Sequence, residues 1–427
     1  MKKLIINGGK KLFGNVHISG AKNAALPLMV ASILTEEKLT LSNVPHVADI
    51  STMANLLSNL GVNLNMDGMD DDGHLGKVIT FDGSKIDNPE APYDLVVKMR
   101  ASILILGPLL ARFGKARISL PGGCAIGTRP VDLHLKAMQE MGAKVEVKAG
   151  YIEASIDGKL QGAKILFEKP SVGATENVLM AASLATGTTK IHNAAREPEI
   201  VDLAKCLNAM GAKISGAGTS TISIVGVDKL HKAKHKIIAD RIEAGTYIAA
   251  AAITDGCLTL SGLNVDLLVG FKDKLENAGV SIKVLNDDKI EVKRSGEFIT
   301  AVDIATQPYP GFPTDMQAQF MSLMCAAKGT STISENIFEN RFMHVLELVR
   351  MGADIEIHGN VAVVKGSKEL CGAEVMATDL RASVAMVLAA LIADGTTTIN
   401  RLYHLERGYE RLTEKLISCG ADLKVLY

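Results

Sequence analysis

The stretch "DLAKCLNAMGAKISG", residues 202–216, joins two patterns at one glycine. Before Gly211 the spacing is that of an amphipathic helix; after it, apolar and polar residues alternate as in a strand. Glycine at such a junction fits the left-handed conformation that ends a helix. The phrase recurs as "LGVNLNM" from residue 60, "MGAKVEV" from 141, "AGVSIKV" from 278, "MGADIEI" from 351 and "CGADLKV" from 419. The six glycines, Gly61, Gly142, Gly211, Gly279, Gly352 and Gly420, lie 81, 69, 68, 73 and 68 residues apart. Spacing of that kind is the mark of an internal repeat.

Two further phrases keep the same order upstream. One is a strand entering a loop, such as "KARISLPGG", "GTTKIHN" and "GTTTINR"; the other is an alanine-rich apolar segment, such as "AALPLMVASIL", "AGTYIAAAAI" and "RASVAMVLAALIA". Each repeat therefore reads strand, apolar helix, strand, amphipathic helix, then two strands. A helix apolar on every side has to be buried on every side. Three repeats per domain then give an α/β fold with buried central helices and an outer shell of sheets and amphipathic helices: an inside-out α/β barrel, twice, from βαβαββ-type units. The basic stretch 227–245 is the natural boundary between repeats three and four. His231 and His235 lie four apart within it and could form a metal pair on a helix; with no third ligand nearby, a linker or strand is expected, and no metal site.

Composition narrows the function classes. The 427 residues carry 46 basic and 47 acidic side chains, so no global field favours nucleic acid or an anionic membrane. No apolar run reaches the roughly 18–20 residues of a membrane span, and the opening "MKKLIINGGKKLFG" is too short in apolar residues for a signal peptide. A cytoplasmic protein is expected. Six cysteines without a CxxC pair indicate neither zinc nor a disulfide framework.

The residues that break the pattern gather at helix starts. Lys22 and Asn23 open the apolar helix of repeat one, Arg100 that of repeat two and Arg381 that of repeat six. Ser171, Val172 and Gly173 follow Lys169 in repeat three, and Thr314 and Asp315 open repeat five; Arg129, Arg341 and Arg407 stand where amphipathic helices are expected to begin. Helix N-termini disfavour cations, so cations at six of them point to an anion, which helix starts and guanidinium forks bind well. Cys124 lies in "SLPGGCAIGTRPVDLHL", residues 119–135, among glycines and close to Arg129 and Asp132. Nearby cations would lower its thiol pKa below about 8.5, so it is a candidate reactive thiol on a mobile loop. The other five cysteines read as core or loop residues.

The phrases "SGAKNAALP", "PGGCAIGTRPVDLH", "NAAREPEIVD", "FPTDMQAQF", "FENRFMH", "ATDLRAS" and "ERGYER" resemble the enolpyruvyl transferases, essentially from end to end. Within that family the cysteine loop resembles the branch with a UDP-sugar acceptor. The resemblance implies transfer of enolpyruvate from phosphoenolpyruvate to the 3′-hydroxyl of UDP-N-acetylglucosamine, with release of phosphate. This is the first committed step of peptidoglycan synthesis, on which cell shape and division depend. It also implies no cofactor or metal, a monomer, and sensitivity to the phosphonate epoxide fosfomycin. The implied domains are 22–239 and 1–21 with 240–427, the active site in the cleft between them and a hinge near Gly20 and Asp240.

By the same resemblance Cys124 is the general acid and Asp315 the base, with Lys22 and Arg407 also catalytic. Lys22, Arg129 and Arg407 take the phosphate of phosphoenolpyruvate, Arg341 and Arg381 its carboxylate, and Asn23 lies beside it. The UDP-sugar falls to Asn23, Arg100, Arg129, Pro130, Val131, Asp132, Leu133 and His134, then to Lys169, Pro170, Ser171, Val172 and Gly173, with Asp315 and Ile337. A sister enolpyruvyl transferase with another acceptor, or a non-catalytic UDP-sugar sensor, are the alternatives.

Overall fold

The computed structural model describes residues 2–69, 77–97, 99–120, 131–366 and 369–427. The six junction glycines carry φ between 88° and 104°. After the helix Pro198–Ala209, the Ala212 N–H donates to the Leu207 carbonyl at 2.9 Å and the Gly211 N–H to that of Asn208 at 3.0 Å. Val62 and Gly61 repeat the pair after Ala48–Asn59, with Leu57 and Ser58 as acceptors. These paired bonds close the last turn and aim the chain into the next strand. A side chain at any of the six would strain the backbone.

Among the described residues there are six four-stranded sheets, all of one topology. In repeat three the spatial order is Lys164–Leu166, Thr188–His192, Thr221–Val225 and Lys213–Ser215. The first pair is parallel, joined through the apolar helix Val172–Ser183; the others are antiparallel. Ile165, Ile191 and Ile222 stand opposite one another in register and are all buried. Alternation has put one face of each strand inward.

Two strands sit away from their sequence neighbours. Phe13–His17 precedes the helix Lys22–Ala31 but pairs in parallel with Cys257–Ser261 of repeat four. Ala233–Lys236 precedes the helix Arg241–Ile253 but pairs in parallel with Lys38–Val44 of repeat one. Repeats one and four have thus exchanged first strands, while Lys3–Asn7 supplies the last strand of repeat six, between Thr396–Asn400 and Asp422–Leu426. The described chain divides accordingly into a first domain, 20–238, and a second, 2–19 with 239–427. Each has its own hydrophobic core, and the two cores share no residue.

The central helices are as enclosed as their composition requires. All of Arg241–Ile253 and all of Gln317–Cys325 is buried. Small residues set the helix spacing: a Cβ on Gly107 would lie 2.5 Å from the Asn177 carbonyl oxygen, and one on Gly245 2.6 Å from the Met316 thioether. Repeat two departs in detail, since its apolar segment begins as a 3-10 helix, Arg100–Ile105, before the α-helix Leu106–Phe113. The fold is an inside-out α/β barrel, built twice. No described helix is long and apolar enough to cross a membrane.

His231 and His235 do not form a helical pair. His235 lies in the strand Ala233–Lys236 with its Nε2 2.9 Å from Asp202, while His231 meets Glu37 at 3.2 Å.

Candidate functional site

Cys124, Arg129 and Pro130 lie outside the described residues. The other candidates form one set of groups in each domain.

In the first domain Lys22 is the first residue of Lys22–Ala31, whose N-cap, Ala21, makes no side-chain bond. Its Nζ lies 3.1 Å from Asp49, which is buried in the first turn of Ala48–Asn59. The carboxylate offsets the unfavourable end of the helix dipole, so the ammonium can stay buried. Asn23 follows, half-buried, and Arg100 opens its 3-10 helix, also half-buried. Ser171 caps Val172–Ser183, its hydroxyl accepting from Ala174 N–H at 3.3 Å. Val172 and Gly173 thus stand in a first turn whose N–H groups have no helical partner. Lys169 is exposed and Pro170 half-buried just before the cap.

Val131 is the buried N-cap of the helix Asp132–Glu140, with Asp132 exposed and Leu133 half-buried after it. His134, one turn in, faces both remaining elements. Burial first, and then the Arg100 charge, push its pKa down to about 3. A Cβ on Gly173 would lie 3.2 Å from its Cε1. Arg100, His134 and Gly173, from three different elements, are therefore brought together.

In the second domain the groups are cross-linked by charge. Arg341 Nη2 lies 2.6 Å from one Asp315 oxygen and Arg381 Nη2 3.5 Å from the other. Asp315 sits in the 3-10 turn Thr314–Met316, whose cap position makes no side-chain bond; it holds arginines rather than the helix start. Arg341 Nη1 donates to Thr314 Oγ1 at 2.9 Å, and that hydroxyl donates to Glu335 at 2.9 Å. Glu335 also accepts from the Ile337 N–H at 2.9 Å, which ties Ile337 to the same cluster. Burial works against the Arg381 charge, but Tyr409, Asp315 and Asp240 outweigh it and raise the pKa, so Arg381 is a permanent cation. Its Nη1 is buried without a hydrogen-bond partner among the described residues. An orphaned guanidinium N–H of this kind is costly unless a ligand meets it.

Two expected helix starts are corrected. Arg407 ends the 3-10 helix Leu402–Arg407 instead of opening a helix, and the amphipathic helix begins only at Leu412. Arg341 lies in turns before His344, the N-cap of Val345–Arg350. In both places Tyr409 and Arg341 pack toward the Asp315 cluster, so tertiary contacts, not the dipole, set the positions.

Sequence reasoning passed over Asp49, Asn177, Glu335, Arg241 and Tyr409. Arg241 had a signal. It directly follows the N-cap Asp240 at the start of repeat four, while Arg381 stands two residues after the N-cap Asp379 in repeat six, and both are buried in a first helical turn. The other four had none, because their roles depend on partners dozens of residues away.

Comparison with known proteins places this geometry in a family. A family model described as EPSP synthase (3-phosphoshikimate 1-carboxyvinyltransferase) matches residues 6–416. The enolpyruvyl transferase NikO from Streptomyces tendae superposes with a TM-score of 0.89 over 99% of this chain and 98% of its own, at 27% identity. EPSP synthase from Acinetobacter baumannii gives 0.75 over both full chains at 17% identity, a likeness of fold alone. The chain belongs to the enolpyruvyl transferase family. Two curated relatives are named UDP-N-acetylglucosamine 1-carboxyvinyltransferase. That of Paramagnetospirillum magneticum is 58% identical over 427 residues, all of this chain and 99% of its own. That of Azorhizobium caulinodans is 56% identical over 426 residues, 99% of each.

Proposed function

We propose that this protein transfers enolpyruvate from phosphoenolpyruvate to the 3′-hydroxyl of UDP-N-acetylglucosamine and releases phosphate. The observation that carries the reading is identity of 58% over the whole chain to a relative named for that reaction. A sister activity with another acceptor is not favoured, since relatives 56–58% identical over nearly the whole of both chains are named for the UDP-N-acetylglucosamine reaction. The reaction is the first committed step of peptidoglycan synthesis, and we place it in the cytoplasm, carried out by a monomer.

The roles follow from charge and chemistry. Addition to the enol needs a proton delivered to the methylene carbon and one taken from the sugar hydroxyl. Cys124 supplies the first and Asp315 accepts the second. Lys22, Arg129 and Arg407 hold the phosphate of phosphoenolpyruvate. Arg341 and Arg381 hold its carboxylate, for which the unpartnered Arg381 Nη1 is suited. Fixed cations of this kind stabilise developing charge without reorganising at the moment of reaction. Asn23, Arg100, the Arg129–His134 and Lys169–Gly173 segments and Ile337 receive the UDP-sugar.

The test is phosphate release from phosphoenolpyruvate with UDP-N-acetylglucosamine, with shikimate 3-phosphate as control. Release with the UDP-sugar alone is expected; release with shikimate 3-phosphate alone would overturn the reading.

A further inference from the structure

Asn177 has no part in the chemistry above, yet its carboxamide is among the most tightly held groups in the first domain. It is fully buried in Val172–Ser183, one turn beyond Gly173. The Gly107 N–H donates to its Oδ1 at 2.6 Å, and its Nδ2 donates to the Ile103 carbonyl at 2.9 Å. The backbone N–H can only donate and the carbonyl can only accept, so these two bonds fix which end of the amide is which. The second hydrogen on Nδ2 then meets His134 Nδ1, 3.0 Å away. That nitrogen has to accept, and so it carries no proton.

A neutral imidazole carries one proton, which leaves Nε2 as its site. Neutrality has its own cause: the ring is 5% exposed, and the charged group facing it among the described residues is the Arg100 guanidinium. The Nε2 edge lies against the start of the helix, where a Cβ on Gly173 would come within 3.4 Å of Nε2. The N–H therefore stands beside the backbone donors of that first turn.

We propose that Asn177 is a positioning residue that locks His134 in its Nε2–H tautomer, making the imidazole a permanent hydrogen-bond donor to the UDP-sugar and not a titrating base. The role assigned to the donor rests on the function proposed above; the tautomer itself does not. A donor that cannot charge or turn around gives the same contact across the working pH range. Gly107 completes the device, because its missing Cβ lets the helix of repeat two come close enough to hold the amide.

The test is nitrogen NMR of the full-length protein with labelled histidine, the His134 signals being identified by their loss in His134→Gln. The expected wild-type result is an unprotonated Nδ1 and a protonated Nε2, unchanged from about pH 5.5 to 8. In Asn177→Asp the carboxylate can only accept, and the proton should move to Nδ1. In Asn177→Leu the KM for UDP-N-acetylglucosamine should rise about 5–10-fold, the usual scale for one lost hydrogen bond, with kcat and the KM for phosphoenolpyruvate nearly unchanged. A wild-type His134 protonated on Nδ1, or charged at pH 7, would overturn the proposal without needing any variant to fold. So would a tautomer indifferent to Asn177→Asp. A protein that keeps the Nε2–H tautomer but does not use UDP-N-acetylglucosamine would instead overturn the proposed function and leave the lock standing.

Discussion

The two domains arrive at their functional groups in opposite ways. In the second, a carboxylate and two buried arginines restrain one another: Asp315 bonds Arg341 and Arg381, and Thr314 and Glu335 hold Arg341 from behind. In the first, Lys22 pairs with Asp49, His134 is neutral, and the Ser171 cap takes one first-turn N–H while the others have no partner within the helix. The charge-linked set suits a small anion carrying more than one charge, because its cations are fixed before the ligand arrives. The set of separate and neutral donors suits a larger ligand recognised at several points. The contrast is that one carboxylate ties two cations together in the second domain, while the first brings a neutral imidazole and helix-start N–H groups to its set.

The largest effect expected is on the thiol. Burial pushes Cys206 and Cys325 up to about 12, and it raises Cys419 as well, so those thiols are almost wholly protonated at neutral pH. A phosphonate epoxide that mimics phosphoenolpyruvate should alkylate Cys124 and abolish turnover, faster with UDP-N-acetylglucosamine present. The exposed Cys371 serves as the internal control, since access alone would modify it too. Peptide mass spectrometry with and without the sugar decides, and modification of Cys371 at a similar rate would remove the special status of Cys124.

Next comes Asp315→Asn. If the carboxylate takes the hydroxyl proton, turnover should fall by roughly 10²–10⁴-fold and the acidic limb of the pH–rate profile should flatten. Stability should fall as well, because Arg341 and Arg381 lose their common counter-charge. A variant that melts earlier yet turns over normally, with the acidic limb intact, would leave Asp315 as a strut for the arginines and nothing more.

A matched pair of substitutions sharpens the contrast between domains. Arg381→Lys keeps the charge and loses the planar fork. Losing a charged hydrogen bond costs about 1.5–3 kcal/mol, so kcat/KM for phosphoenolpyruvate should drop by about 10–100-fold with little change for the UDP-sugar. Arg100→Lys, in the first domain, should do the reverse. Steady-state kinetics with each substrate varied in turn reads both, and equal losses for the two substrates in both variants would dissolve the distinction.

Most of the architecture was legible in the sequence because it repeats. One glycine junction met six times separates helix from strand more securely than any single occurrence, and all six take the expected left-handed conformation. The exchange of Phe13–His17 and Ala233–Lys236 between repeats was not legible in the pattern, since either strand has the same edge pattern wherever it pairs; only the family resemblance put 1–21 with the second domain. Site residues divide in the same way. Lys22, Asp315 and Arg381 stand out as charges at the starts of apolar helices, and all three are ion-paired there. Asn177 and Glu335 look like ordinary polar residues until the fold brings Gly107 and His134 to the one and Thr314 and Ile337 to the other. Arg407 is the exception: its charge has the look of a helix start, yet the helix begins five residues later, at Leu412.

The smallest effect should come from Ser171→Ala, and it examines the first domain's side of the contrast most directly. The hydroxyl accepts from the Ala174 N–H at 3.3 Å, a long bond for a cap. Losing it should cost about 0.5–1 kcal/mol, the low end for an N-cap serine, or about 1–4 °C of melting temperature in a domain of this size. The N–H groups of Val172 and Gly173, which have no partner within the helix, belong to the backbone and survive the substitution, as does the His134 N–H beside them. If those are the donors the UDP-sugar meets, its KM should change by less than about threefold, well under the effect of one lost hydrogen bond. A thermal melt and a UDP-N-acetylglucosamine titration on that single variant suffice. A tenfold rise in KM with an unchanged melt would mean that the serine hydroxyl itself binds substrate, and the first domain would then recognise its ligand through side chains as the second does.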